Sequence, residues 1–228
     1  MIENIPYSGE IPYQNVDRNS STEGYVEKLI FFLEQYLPLF PKQKQIKKDE
    51  SEEDISEKLY NYLQRQRRFN LEQIEYPFEF QIEKSQRKAK KGHKRRVDFG
   101  VKLNTVDNDM ELIYCIEAKK LPTGQKEREK EYVLGNYGGI QRFKSALHGI
   151  DNQGNPLGRN GIVGYVFEHT FEHWYNEINL WITQEGWSKN ELLVKKHFLE
   201  IAKLESTHLI ETQQLMVLDH YWVSVITT

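Results

Sequence analysis

The chain has 228 residues and a mass of 27.2 kDa, enough for one domain with additions, and its mean hydropathy of −0.72 excludes a membrane protein, since no apolar run approaches the roughly 18 residues of a spanning helix. Lys and Arg number 31 against 34 Asp and Glu, a formal net charge of −3, so a polyanion partner would have to be recognised by local charge. The 4 Trp, 13 Tyr and 11 Phe exclude a disordered chain, and a single cysteine, Cys115, excludes an intrachain disulfide and a Cys-based zinc site.

Residues 1–21 carry Pro6, Pro12 and two copies of Ile-Pro-Tyr, which predicts an extended arm. This N-terminus lacks the basic-then-apolar layout of a secretion signal, so with one cysteine a reducing, cytoplasmic home is expected. Val26, Leu29, Ile30 and Leu33 follow the i, i+3, i+4, i+7 rule and predict a helix over 23–36, stopped by Pro38 and followed by a lysine-rich linker over 41–48. Ser51-Glu52-Glu53-Asp54 is a capping-box pattern ahead of Ile55, Leu59, Tyr62 and Leu63, and predicts a helix over 52–67. Glu52 falls within about 35° of the centre of that helix's apolar stripe, so its carboxylate is aimed inward and wants a partner.

Segments 75–83, 95–103 and 111–119 read as strands, the last two joined by the turn-like run Asn104 to Asp109, and an antiparallel meander is the simplest pairing. Pro122 and Gly124 break the chain before Gly138-Gly139 open a helix over 140–148 that Gly149 caps. Next come a buried strand over 161–168, an amphipathic helix built on Phe171, Trp174, Tyr175, Ile178, Trp181 and Ile182, a further helix near 189–204, and a strand over 215–226. The fold class that follows is α/β, a mixed central sheet flanked by helices, in a single domain over 1–228.

Asp98 interrupts the apolar alternation of Val97, Phe99, Val101 and Leu103. The run Leu112 to Ile116 is apolar on both faces yet ends in Glu117-Ala118-Lys119, which sets an acid and an amine side by side on a buried strand. If the two strands pair, Asp98 sits opposite Glu117, and two such carboxylates repel unless a divalent cation bridges them. Hard oxygen donors favour Mg²⁺ or Mn²⁺ over zinc, and a lysine beside that cation can orient or help deprotonate a water, which suits hydrolysis of a phosphodiester.

Asp98 followed nineteen residues later by Glu117-Ala118-Lys119 resembles the signature of the PD-(D/E)XK nucleases, the restriction-endonuclease-like superfamily, whose core of helix, three-stranded meander, helix and strand matches the predicted order over 52–168. The resemblance implies that Asp98 and Glu117 ligate the metal, that Lys119 positions the attacking water, and that Glu52 is the additional acid many members place on the preceding helix. It implies a metal-dependent endonuclease acting on nucleic acid, DNA before RNA, in a restriction, repair or phage-defence setting, with a homodimer or partner subunit as one way to address two strands. The alternative is a catalytically silent module that binds nucleic acid or protein with the same fold. Val97 stands where the name-giving proline would be. No Gln-x-x-x-Tyr follows, because Gln141 is succeeded four residues on by Ser145.

Local charge points the same way: Lys84 to Arg96 holds eight Lys and Arg and no acid, immediately before Asp98. Lys88, Lys90, Lys91, Lys94, Arg95 and Arg96 are the expected nucleic-acid contacts, with Gln141 and Arg142 as further phosphate contacts. Three other patterns compete less well. His169-Thr170-Phe171-Glu172-His173 matches the zinc-peptidase spacing H-x-x-E-H by letters, but both histidines are expected as ordinary polar positions at the start of a helix. Gly135 to Gly139 lacks the spacing of a phosphate-cradling loop and reads as a hinge, and Trp174, Trp181 and Trp187 read as packing rather than a base-stacking platform.

Overall fold

In the computed structural model, which describes residues 22–69, 76–85, 96–103, 111–135 and 138–225, seven strands form one mixed sheet. They are β1 (Phe78–Ser85), β2 (Arg96–Leu103), β3 (Leu112–Leu121), β4 (Arg159–Val166), β5 (Val194–Phe198), β6 (Ile201–Leu209) and β7 (Leu215–Ser224), in the order β1-β2-β3-β4-β7-β6-β5. The meander β1-β2-β3 is antiparallel, β4 lies parallel to both β3 and β7, and β7-β6-β5 is antiparallel again. The apolar run predicted to be buried on both faces is therefore β3, central in the sheet and covered on each side.

One core packs α1 (Thr22–Tyr36), a short α2 (Phe40–Gln43) and α3 (Glu52–Phe69) on one face through Leu29, Phe32, Leu33, Phe40, Ile55, Leu59 and Tyr62. The other face carries the 3-10 turn Lys126–Tyr132, α4 (Gly139–Lys144) and α5 (Phe171–Gln184), packed through Tyr132, Ile140, Phe143, Trp174, Ile178 and Ile182. Gly138 is the N-cap of α4, and a Cβ on Gly139 would stand 3.1 Å from the Tyr132 carbonyl, so these glycines let α4 press against the sheet.

Two expectations are corrected. The helix expected near 189–204 is a 3-10 turn, Lys189–Glu191, followed by the hairpin β5–β6. Val194, Phe198 and Ile201, at i, i+4 and i+7, imitate a helical stripe, but β6 gains nine paired positions against β7, and that tertiary pairing overrides the helix-forming Lys, Glu, Leu and Ala content. The helix expected over 140–148 stops at Lys144, because Ala146 (φ 46°) and Gly149 (φ 72°) turn the chain back on itself. The predicted arm over 1–21 lies outside the described residues.

Candidate active site

The β2–β3 ladder pairs Phe99 with Ile116 and Gly100 with Cys115, so continuing the register brings Asp98 across from Glu117, as the sequence leads one to expect. Asp98 is half-buried, and its Oδ2 accepts the backbone N–H of Ala118 at 2.7 Å. On β3, Glu117 and Lys119 share a face two residues apart, and Lys119 Nζ donates to Glu117 Oε1 at 3.0 Å. Glu52, the first residue of α3, reaches across: its Oε1 accepts Lys119 Nζ at 3.0 Å and its Oε2 accepts the backbone N–H of Lys120 at 2.9 Å. The inward aim read from the helical wheel thus has its partners. The structure brings together all four expected residues.

Two groups of the site carry no spacing signal in the sequence. Arg142, expected as a phosphate contact, donates to Glu117 Oε1 at 2.7 Å and belongs to the carboxylate's surroundings. His148 is buried, with Nδ1 at 3.1 Å from Glu117 Oε2. Both come from α4 and its return turn, and a contact made across the β3–β4 crossover leaves no periodic trace for a sequence to show.

Burial would push the Glu117 carboxyl upward, but Lys119, His148 and Arg142 around it hold it well below the ordinary carboxylate range. Burial would lower Lys119, yet Glu117, Glu52 and Asp98 raise it, so the amine stays an ammonium. Burial, then the like charge of Glu117, raises Asp98 well above its usual value. Among these carboxylates Lys119 is therefore a donor and a fixed positive charge. Two of its three N–H bonds serve Glu52 and Glu117, and among the described residues the third remains for a water or a phosphoryl oxygen.

Among the described residues no three His, Cys, Asp or Glu form a ready cluster for a metal ion. A divalent cation held by two carboxylates and waters needs no such cluster. The donor chemistry fits one: Glu117 Oε1 is taken by two cationic side chains, whereas Oε2 is buried without a hydrogen-bond partner among the described residues.

The other candidates fall away or lie elsewhere. Lys88, Lys90, Lys91, Lys94 and Arg95 lie outside the described residues, and Arg96 is described only as the first residue of β2, paired with Ser85. Gln141 is half-buried and donates to Ser145 Oγ at 3.1 Å. His169 and His173 stack with ring centroids 4.1 Å apart, and Glu172 is taken by Lys195, so the H-x-x-E-H letters do not converge on a metal. Trp174 and Trp181 are buried in the core, and Trp187 lies under Lys144.

One constellation without any motif is Ser206, His208 and Glu191: Ser206 Oγ is 2.7 Å from His208 Nε2, whose Nδ1 is 3.1 Å from Glu191 Oε1. This is the order of a nucleophile relay, but Ser206 and His208 are buried, and Ser206 Oγ is shared with His220 Nε2 at 2.8 Å. It is a core hydrogen-bond chain. Comparison with known protein families, with curated proteins and with solved structures found no match for the chain.

Proposed function

We propose that the chain is a divalent-cation-dependent phosphodiester hydrolase acting on nucleic acid, a nuclease of the PD-(D/E)XK kind that its sequence resembles, with an α-β-β-β-α-β core over α3, β1, β2, β3, α4 and β4. The observation that carries this reading is the buried Lys119 ammonium, fixed at 3.0 Å by Glu52 on one side and by Glu117 on the other, beside Asp98 from the neighbouring strand. Asp98 and Glu117 would hold Mg²⁺ or Mn²⁺, which supplies Lewis-acid polarisation of a phosphoryl oxygen. Lys119 directs its remaining N–H toward the attacking water or the non-bridging oxygen on which charge develops, and no reorganisation is needed because both carboxylates already hold it in place. Glu52 fixes the amine from the helix side and ties α3 to the Lys120 backbone, so its role is to position.

A second reading, a catalytically silent nucleic-acid or protein binding module, is favoured by one feature. Lys119 and Arg142 already balance Glu117 and Glu52, and such a network can stand without a cation. Cleavage of labelled single- and double-stranded DNA and RNA in Mg²⁺, in Mn²⁺ and in EDTA separates the two. Metal-dependent cutting that falls at least a hundredfold in Lys119→Ala, with the fold intact by circular dichroism, is the expected result. Binding without cutting under every condition would select the silent module.

A further inference from the structure

Glu117 Oε2 and both ring nitrogens of His148 lack hydrogen-bond partners among the described residues, although His148 is 2% exposed and Glu117 1%. Unpaired buried polar atoms are rare in folded proteins, and each points to a water, an ion or a functional role. Here the orphans are neighbours. His148 Nδ1 lies 3.1 Å from Glu117 Oε2. A nitrogen and an oxygen that close have the spacing of adjacent vertices of an octahedron, since bonds of about 2.0–2.1 Å to one ion put neighbouring donors about 2.9 Å apart.

The chain holds this pair in place. After α4 the turn through Ala146 brings His148 back beneath the helix, where its N–H meets the Arg142 carbonyl at 3.3 Å and its ring stands edge-on to Phe143 at 5.8 Å. Gly149 follows with positive φ, and a Cβ there would come within 2.6 Å of Asn160 Nδ2, so the turn is tightly seated. One short segment thus delivers Arg142 to one oxygen of Glu117 and His148 to the other. The cations saturate Oε1; Oε2 is left beside an imidazole.

We propose that His148 is a nitrogen ligand of the cation that the nuclease reading assigns to Asp98 and Glu117, and that this centre therefore prefers a first-row transition ion such as Mn²⁺ to Mg²⁺. The inference rests on that reading. Imidazole suits transition ions, whereas Mg²⁺ keeps an all-oxygen shell of carboxylates and waters. Glu117 and His148, with Asp98 from the neighbouring strand, would leave positions for water and phosphate oxygens.

The test is Mn²⁺ binding by the full-length protein, followed by the electron paramagnetic resonance of free and bound ion, with pulsed spectra of the bound state. The expected result is ¹⁴N modulation from one imidazole that changes to the ¹⁵N pattern when histidine is ¹⁵N-labelled. His148→Gln should abolish it and weaken Mn²⁺ by on the order of tenfold or more, with a smaller loss for Mg²⁺. The wild-type spectrum alone decides, so a poorly folded variant leaves the test intact. Mn²⁺ bound without nitrogen modulation, yet weakened by Asp98→Asn and Glu117→Gln, would overturn the ligand and leave the nuclease reading standing. No Mn²⁺ bound, or binding indifferent to Asp98→Asn and Glu117→Gln, would overturn both.

Discussion

Asp219 belongs to no motif, yet it is the most heavily engaged carboxylate in the described structure. Its two oxygens accept Tyr114 Oη at 2.8 Å, Arg159 Nε at 2.8 Å, Arg159 Nη2 at 2.9 Å and the Lys203 ammonium, with no exposure of its own. Burial alone would raise its carboxyl, but Arg159 and Lys203 hold it low. Asp219→Asn keeps the shape and removes the charge, leaving Lys203 with a neutral amide and the more distant Glu34 at 3.9 Å, and Arg159 with its more exposed acidic partners Glu27 and Glu205. Breaking one partner of a buried pair costs about 3–5 kcal/mol, and urea unfolding of Asp219→Asn should show a loss of that order. The cation binding proposed at Glu117 should be untouched in the fraction that folds. A loss under 1 kcal/mol would mean that the cluster is solvated more than its burial implies.

At the scale of elements, the β6–β7 pair is tied to the 3-10 turn Lys126–Tyr132 by a hydrogen-bond chain whose direction is dictated by its ends. Trp222 Nε1–H can only donate, and it does so to Tyr132 Oη at 2.9 Å, which turns the phenol proton toward His220 Nδ1 at 2.8 Å. His220 then donates from Nε2 to Ser206, Ser206 donates to His208 Nε2, and His208 donates from Nδ1 to Glu191, which can only accept. Each imidazole is required neutral, in a fixed tautomer. Burial and the neighbouring His208 lower His220 to about 3, and burial lowers His208. An unfolded histidine titrates near 6.5, so between that value and about 3 the unfolded chain binds more protons. Stability from this chain is complete above about pH 6.5 and falls as the solution is acidified toward pH 3. Urea midpoints measured from pH 7.5 to 4 should drop, and drop less steeply in His220→Asn; equal slopes in the two proteins would refute the chain's role. None of this chain is legible in the sequence, because its members lie on separate elements that only the sheet order brings together. The opposite holds at the candidate site, where Asp98, Glu117 and Lys119 are legible as breaks in apolar strand patterns and Glu52 as an acid on an apolar helical face. Arg142 and His148 escape because a crossover places them, and the β5–β6 hairpin escapes because sheet pairing outweighs a helix-like stripe.

For the whole molecule, the meander β1-β2-β3 forms one wing of the sheet and β5-β6-β7 the other, and the candidate site lies on β3 beside β2, reached by Glu52 from α3 and by Arg142 from α4. The chain as a whole is acidic, at −3, so it offers a polyanion no general attraction. The run from Lys84 to Arg96 is the exception: it joins β1 to β2, with Ser85 paired to Arg96, and its last residue stands two positions before Asp98. On the proposed nuclease reading, a nucleic acid attracted by that run would meet the chain just ahead of Asp98 in sequence. Each phosphate neutralised by a lysine contributes a slope of about −0.9 to log affinity against log salt on duplex DNA. Replacing Lys88, Lys90, Lys91 and Lys94 by Gln should flatten the salt dependence by up to about 3.6 and weaken binding by tenfold or more at physiological salt. Because these residues are remote from Glu117 in the chain and act through long-range charge, the Mn²⁺ affinity and the urea midpoint should stay as they are. Filter binding across a salt series reads the slope directly. An unchanged slope would place the polyanion on another surface and separate the recognition of substrate from the approach to Asp98.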